Sequence, residues 1–169
     1  LDLGAGLEYL KKLSRRASFP VLSANLVDSA GSLLFEPSVL LKKGDLSVGV
    51  TSVVADDTLG DGFATIPWKK ALRTEVKKLR KQGAQLVVVL SNLGEQGDRK
   101  LARVGGADVI LSSRDRLLTP QGERLAKTLL GQAGARGRYL GDLRWYRSGS
   151  GKGPHLVLTT MPVHSGGPR

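Results

Sequence analysis

The chain has 169 residues, of which 40% are hydrophobic and 24% charged, a balance that fits one globular domain with a sizeable core and excludes a disordered segment. It has no cysteine and two histidines, His155 and His164, so disulfides, thiolate metal sites and a cysteine nucleophile are excluded, and sites built from histidine clusters nearly so. The net charge of +11 favours anionic surroundings, yet aromatic residues reach only 5%, too few for the stacking platforms of single-strand binders; a solvated basic surface is expected rather than nucleic-acid binding.

In chain order, "GLEYLKKLSRR" spaces Leu7, Leu10 and Leu13 as one apolar stripe and predicts an amphipathic helix. After Pro20, "PVLSANL" reads as a buried strand over 21–26. "VDSAG" is a turn, and "SLLFEPSVLLKKG" a hairpin with a bend at Glu36-Pro37 and a second turn at Lys43-Gly44. "LSVGVTSVV" is a strand in which Gly49 permits close approach of a neighbour. The stretch 56–62 is a loop. A helix follows over 68–82, with Leu72, Val76 and Leu79 on one face, seven basic residues around them and Gly83 as its C-terminal cap.

The strand over 85–90 is fully apolar after its first residue and leads through Ser91, Asn92 and Gly94 into a short helix near 95–104. A second apolar strand spans 107–112. The remainder reads as β-rich: "RLAKTLLGQA", "RYLGDLRWYR" and "HLVLTTMPV", joined by turns at 134–137 and 148–154. Trp145 and Tyr146 are adjacent on a strand and must face opposite ways. No run approaches the roughly 20 apolar residues that span a bilayer. Leu1 is preceded by neither an initiator methionine nor a signal-peptide pattern, which reads as a mature or trimmed segment.

Three stretches in the same order carry a family resemblance. "GLEYLKKLSRRASFPVLSANLVDSAGSLLFEPSVLLKKGDLSVGVTSVVADDT", "KKLRKQGAQLVVVLSNLGEQGDRKLARVGGADVILSSRDR" and "TLLGQAGARGRYLGDLRWY" resemble the second half of the 5'-nucleotidase-type metallophosphoesterases of the calcineurin-like superfamily. In that family the middle stretch runs "GADLVIVLSHLG", helix, "DVILGGHTH". The resemblance covers roughly residues 1 to 160 and implies a four-layer α/β sandwich with mixed sheets and a β-rich C-terminal part. The domain would span 1–162, with a flexible tail over 163–169. The family's site would hold two divalent metal ions, manganese or zinc, which activate water for in-line attack at phosphorus.

The departures from the pattern fall on the metal ligands. Asn92 stands where "LSHLG" has its histidine, and Arg114 and Arg116 stand for the two histidines of "GGHTH". Ser112 and Ser113 replace its glycines. An amide oxygen can ligate a metal, but a guanidinium has no lone pair to give and brings positive charge where a dication would sit. Asp115 is the single carboxylate of that loop. The family's first-half motifs would lie upstream of Leu1.

The reading that follows is a catalytically degenerate domain that acts as scaffold or binding module, is no enzyme by itself and needs no cofactor. Its partner would be the upstream half of the domain, or another protein covering an open sheet. In a refinement, Asn92, Ser112, Ser113, Arg114 and Arg116 form an anion site; against it, Asp115 is a ready counter-ion and the arginines can be plain solvated residues. A second reading makes the chain part of an active phosphoesterase whose remaining ligands lie upstream, with His155 or His164 as stand-ins. A third uses the basic helix as an anion- or nucleic-acid-binding face. Ser23 and Ser91 show no base partner in a triad pattern, and "GEQGDRK" lacks phosphate-loop spacing. The family resemblance carries an expectation of a periplasmic or extracellular location.

Overall fold

The computed structural model describes residues 6–56, 63–146 and 155–163. Its centre is a six-stranded mixed sheet in the order β2–β3–β5–β6–β8–β7, built from Ser38–Lys43, Leu46–Val54, Leu86–Asn92, Val109–Ser112, Thr128–Gly131 and Glu123–Leu125. The four inner strands run parallel and the two edge strands antiparallel. Helices α2 (Trp68–Lys81) and α3 (Glu95–Val104) are the crossovers that parallel pairing requires. β1 (Leu26–Val27) pairs with β4 (Ala64–Thr65), and β9 (Tyr139–Tyr146) with β10 (His155–Pro162) as a separate ribbon.

Both helices pack on one face of the sheet. Leu72, Val76 and Leu79 of α2 and Leu101 and Ala102 of α3 meet Val53, Val87, Val89, Ile110 and Leu130 in one buried cluster. On the opposite face Leu86, Val88 and Val109 are covered by Leu143, Trp145 and Leu156 of the ribbon. Helices, sheet and ribbon are thus successive layers of an α/β sandwich, and β5 is apolar over 86–90 because it is covered from both sides. Trp145 faces inward, while Tyr146 is exposed and stacks on His155. Gly49 lets the layers close: a methyl group there would meet Leu79 at 2.9–3.0 Å. Gly83 adopts φ +90 just past α2, the left-handed conformation its cap requires.

Two local expectations are corrected. Over 21–26 the chain is largely buried but is not a regular strand; regular pairing begins only at β1. The Asn25 side chain takes the place of a backbone ladder, its Nδ2 donating to Val54 O (2.8 Å) and its Oδ1 accepting from Val54 N (2.9 Å). The hairpin closes between β2 and β3 across Gly44, whereas 32–35 contributes one bridge, Leu33 to Val27. The expected N-terminal helix exists as α1 (Leu7–Arg16), yet none of its residues is buried. Its stripe faces an open groove that Leu10 and Leu13 share with Phe19 and Val21.

Of the tail assigned to 163–169, Val163 donates its N–H to Arg138 O (2.8 Å); the rest, the turn over 148–154 and most of the loop over 56–62 lie outside the described residues. Among the described residues no helix is long and apolar enough to cross a membrane.

Candidate functional site at the strand tips

Ligand sites of open parallel sheets form at the C-terminal ends of the strands. Here β3 ends at Val54, β5 at Asn92 and β6 at Ser112, and the register sets Val54 beside Asn92 and Ser91 beside Ser112. These tips and the loops that leave them carry Asn92, Ser112, Ser113, Arg114 and Arg116, the candidate residues read from the sequence. Asn92 Nδ2 donates to Ser113 Oγ at 3.4 Å, a long bond that joins the two loops.

Gly94 lies between Asn92 and α3 with φ +80. A methyl group there would come within 3.3 Å of Arg114 Cδ and 3.4 Å of Asp115 Oδ2. The loop after β6 therefore lies directly on the entry to α3. The residue at the N-cap position, Gly94, has no side chain to cap α3. Asp115 does so from across the gap, accepting the Glu95 N–H with Oδ2, and so places a carboxylate at the positive end of the helix. Arg114 is half-buried beside it and Arg116 is exposed.

Beneath these loops is a polar cluster that sequence reading missed. Ser91 Oγ donates to Asp98 Oδ1, and the hydroxyl also accepts the Leu93 N–H at 3.2 Å. Asp98 is 0% exposed. Burial pushes its carboxyl above the ordinary 3.8; the neighbouring Ser112 and Ser91 hydroxyls pull it back, and Asp115 pushes it up again. Asp98 Oδ2 and Ser112 Oγ are both buried without a hydrogen-bond partner among the described residues. Ser91 thus has a carboxylate partner that the sequence reading did not find, though among the described residues no histidine completes a triad. The overlooked signal was helical spacing: Asp98 shares one buried face of α3 with Leu101 and Ala102, an acid where an apolar residue is expected.

The residues at the tips do not suit a dication. The one carboxylate of the loop, Asp115, is engaged as a helix cap, the Asn92 amide is turned toward Ser113, and Arg114 and Arg116 bring fixed positive charge. Among the described residues no group of three or more His, Cys, Asp or Glu side chains could hold a metal ion. His155 opens β10 and stacks on Tyr146 with ring centroids 4.8 Å apart; His164 lies outside the described residues.

No family model matches the chain. Among curated proteins it is 32% identical to the apyrase of Anopheles gambiae over 120 residues, which is 65% of this chain and 21% of that protein. The chain therefore spans about a fifth of that relative's length. Among solved structures it superposes on the sulfate thiohydrolase SoxB of Thermus thermophilus with a TM-score of 0.80 and 28% identity, over 95% of this chain and 31% of that one. It superposes also on the calcineurin-like phosphoesterase YfkN of Bacillus subtilis, with a TM-score of 0.76 and 18% identity, over 93% and 60% of the two chains; at that identity the likeness is one of fold.

Proposed function

Because the chain carries the C-terminal portion of a calcineurin-like phosphoesterase domain of the 5'-nucleotidase type, we propose that it serves as a binding or scaffolding part of such a domain and does not hold the metals of phosphoester hydrolysis itself. The observation that carries this reading is the strand-tip loop 112–116. Where the resemblance puts imidazole ligands, Arg114 and Arg116 stand, and the intervening Asp115 is committed to the Glu95 N–H. A carboxylate released from that cap would leave α3 without one, so even this single hard donor is not freely available.

The binding role is supported by the second face of the sheet. The ribbon covers Leu86, Val88 and Val109, but Leu41 and Leu90 on that same side are 49% and 41% exposed. The register sets Leu41 beside Val48 and Leu90 between Ser52 and Leu111. A largely parallel sheet needs cover on both faces, and β-structure laid alongside the ribbon would supply it. The partner is accordingly either further strands of the same domain or another protein with an apolar β face. The anion-site reading of Asn92, Ser112, Ser113, Arg114 and Arg116 has less support, since Asp115 already sits among them and the Ser112 hydroxyl is buried. A periplasmic or extracellular location accompanies the family reading.

The test is elemental analysis of the purified protein after incubation with manganese and zinc and desalting. Absence of stoichiometric metal is expected. Near two equivalents would overturn the reading and make nucleotide hydrolysis the function to assay.

A further inference from the structure

Among the described residues, three buried side-chain oxygens at the strand tips have no hydrogen-bond partner: Asp98 Oδ2, Ser112 Oγ and Gln132 Oε1. They lie on neighbouring elements. The Ser112 hydroxyl lies within reach of the Asp98 carboxyl and, like that of Ser91, lowers its pKa. β6 and β8 are paired through Leu111 and Gly131, the residues just before Ser112 and Gln132, and the two-residue period puts Ser112 and Gln132 on the sheet face of Ile110 and Leu130, the one the helices cover. Asp98 itself is 0% and Gln132 4% exposed.

With an ionised Asp98, this cluster holds acceptors in excess of donors, around a charge removed from water. One added proton removes the mismatch. We infer that Asp98 is kept as a neutral carboxylic acid, and that its proton closes a chain from Asp98 Oδ2 to Ser112 Oγ and from the Ser112 hydroxyl to Gln132 Oε1, which ties the tips of β5, β6 and β8 together. Asp98 Oδ1 completes the clamp by accepting from Ser91 Oγ. Ser91 immediately precedes Asn92, and Ser112 precedes Ser113, so Asp98 is the positioning residue for the two loops that meet in the Asn92–Ser113 bond.

Burial, the largest effect, favours the acid over the pull of the Ser112 and Ser91 hydroxyls toward the ionised form. Among the described residues, Asp115 is the charged group that acts on Asp98, and its negative charge adds to the effect of burial. The neighbouring cation on the same helix, Arg99, is turned to Glu123 at 2.8 and 2.9 Å and to Glu95 at 3.2 Å. β5 contributes Ser91 and β6 contributes Ser112, neither of which titrates in the working range. Thr128 is occupied with the Ala102 and Ala107 carbonyls. A carboxyl held neutral in this way can donate a hydrogen bond as an ionised one cannot.

The consequence is a proton-dependent clamp with a fixed sign. The folded chain holds the Asp98 proton more tightly than the unfolded chain, whose carboxyl titrates near 3.8. Its contribution to stability is therefore complete below that value and is lost as pH rises through the higher folded value.

The deciding experiment uses the intact protein and the variants Asp98→Asn, Asp98→Ala and Ser112→Ala. Infrared difference spectra of wild type against Asp98→Asn at neutral pH should show a protonated-carboxyl stretch that only the wild type possesses. The amide introduced by Asp98→Asn can donate to Ser112 and accept from Ser91, so this variant should keep the wild-type melting temperature at neutral pH and flatten its decline with rising pH. Asp98→Ala should melt lower. Ser112→Ala removes the acceptor and should shift Asp98 titration while leaving the fold intact. A carboxylate band in place of the acid band would overturn the inference. So would an Asp98→Asn protein that melts as low as Asp98→Ala at neutral pH, because an ionised Asp98 would then be what the fold requires.

Discussion

Replacing Gly49 by alanine tests how tightly α2 is seated on the sheet. The new methyl would lie 2.9 Å from Leu79 Cδ1 and 3.0 Å from both Cδ2 and Cβ, against about 3.5–4.0 Å for relaxed carbon contacts. A rotamer change can withdraw the two Cδ atoms but not Cβ, which is fixed to the helix backbone, so α2 must move outward by several tenths of an ångström. Such overpacking costs roughly 1–3 kcal/mol. The smaller entropy of the unfolded alanine chain offsets about 0.4–1 kcal/mol of it. For a chain of this size each kcal/mol corresponds to roughly 2–4 °C, so Gly49→Ala should lower the melting temperature by several degrees. Gly141 is the matched control: it also lies in a strand, but a methyl there would meet nothing nearer than 3.9 Å, so Gly141→Ala should leave stability unchanged or slightly raised. Thermal and denaturant unfolding of both variants beside wild type measures the difference. Equal stability of the two variants would refute the claimed contact between α2 and β3.

Asp115→Ala removes the cap of α3 and should cost about 0.5–2 kcal/mol, with faster amide exchange at Glu95, measured by hydrogen exchange. It also removes a charge that raises the Asp98 carboxyl, so the pH at which stability starts to decline should move down; an unmoved profile would show that Asp115 does not act on Asp98. Leu41→Thr with Leu90→Thr should weaken association through the uncovered sheet face, read by sedimentation across a concentration series, while changing stability by about 1 kcal/mol or less as expected for half-exposed sites. Association identical to wild type would exclude that face as the docking surface.

Much of the architecture was legible in the residues because it is set by local periodicity. α2 and α3 fall where their apolar spacing and flanking glycines put them, and β5 and β6 read as doubly covered strands from uninterrupted Val, Ile and Leu. The opposite facing of Trp145 and Tyr146 follows from the two-residue period of a strand alone. The strand tips were legible too: Asn92, Ser113 and Arg114 come together because each ends or follows a strand of one parallel sheet.

What the sequence left open depends on pairs distant in the chain. That Asn25 would replace a backbone ladder at Val54, 29 residues away, has no local signature, since an isolated asparagine reads as a turn former. That Asp115 would cap a helix begun 20 residues earlier requires the β6 loop to lie on Gly94. That Ser91 would find Asp98 requires α3 to turn its first two turns back over the tip of β5. Composition and spacing by themselves determined the α/β class of fold and which side chains could or could not serve as metal donors, because those depend on residue type and period. Only the tertiary structure decided which polar groups meet inside, and so where a proton is held, because buried hydrogen bonds are settled by geometry between elements.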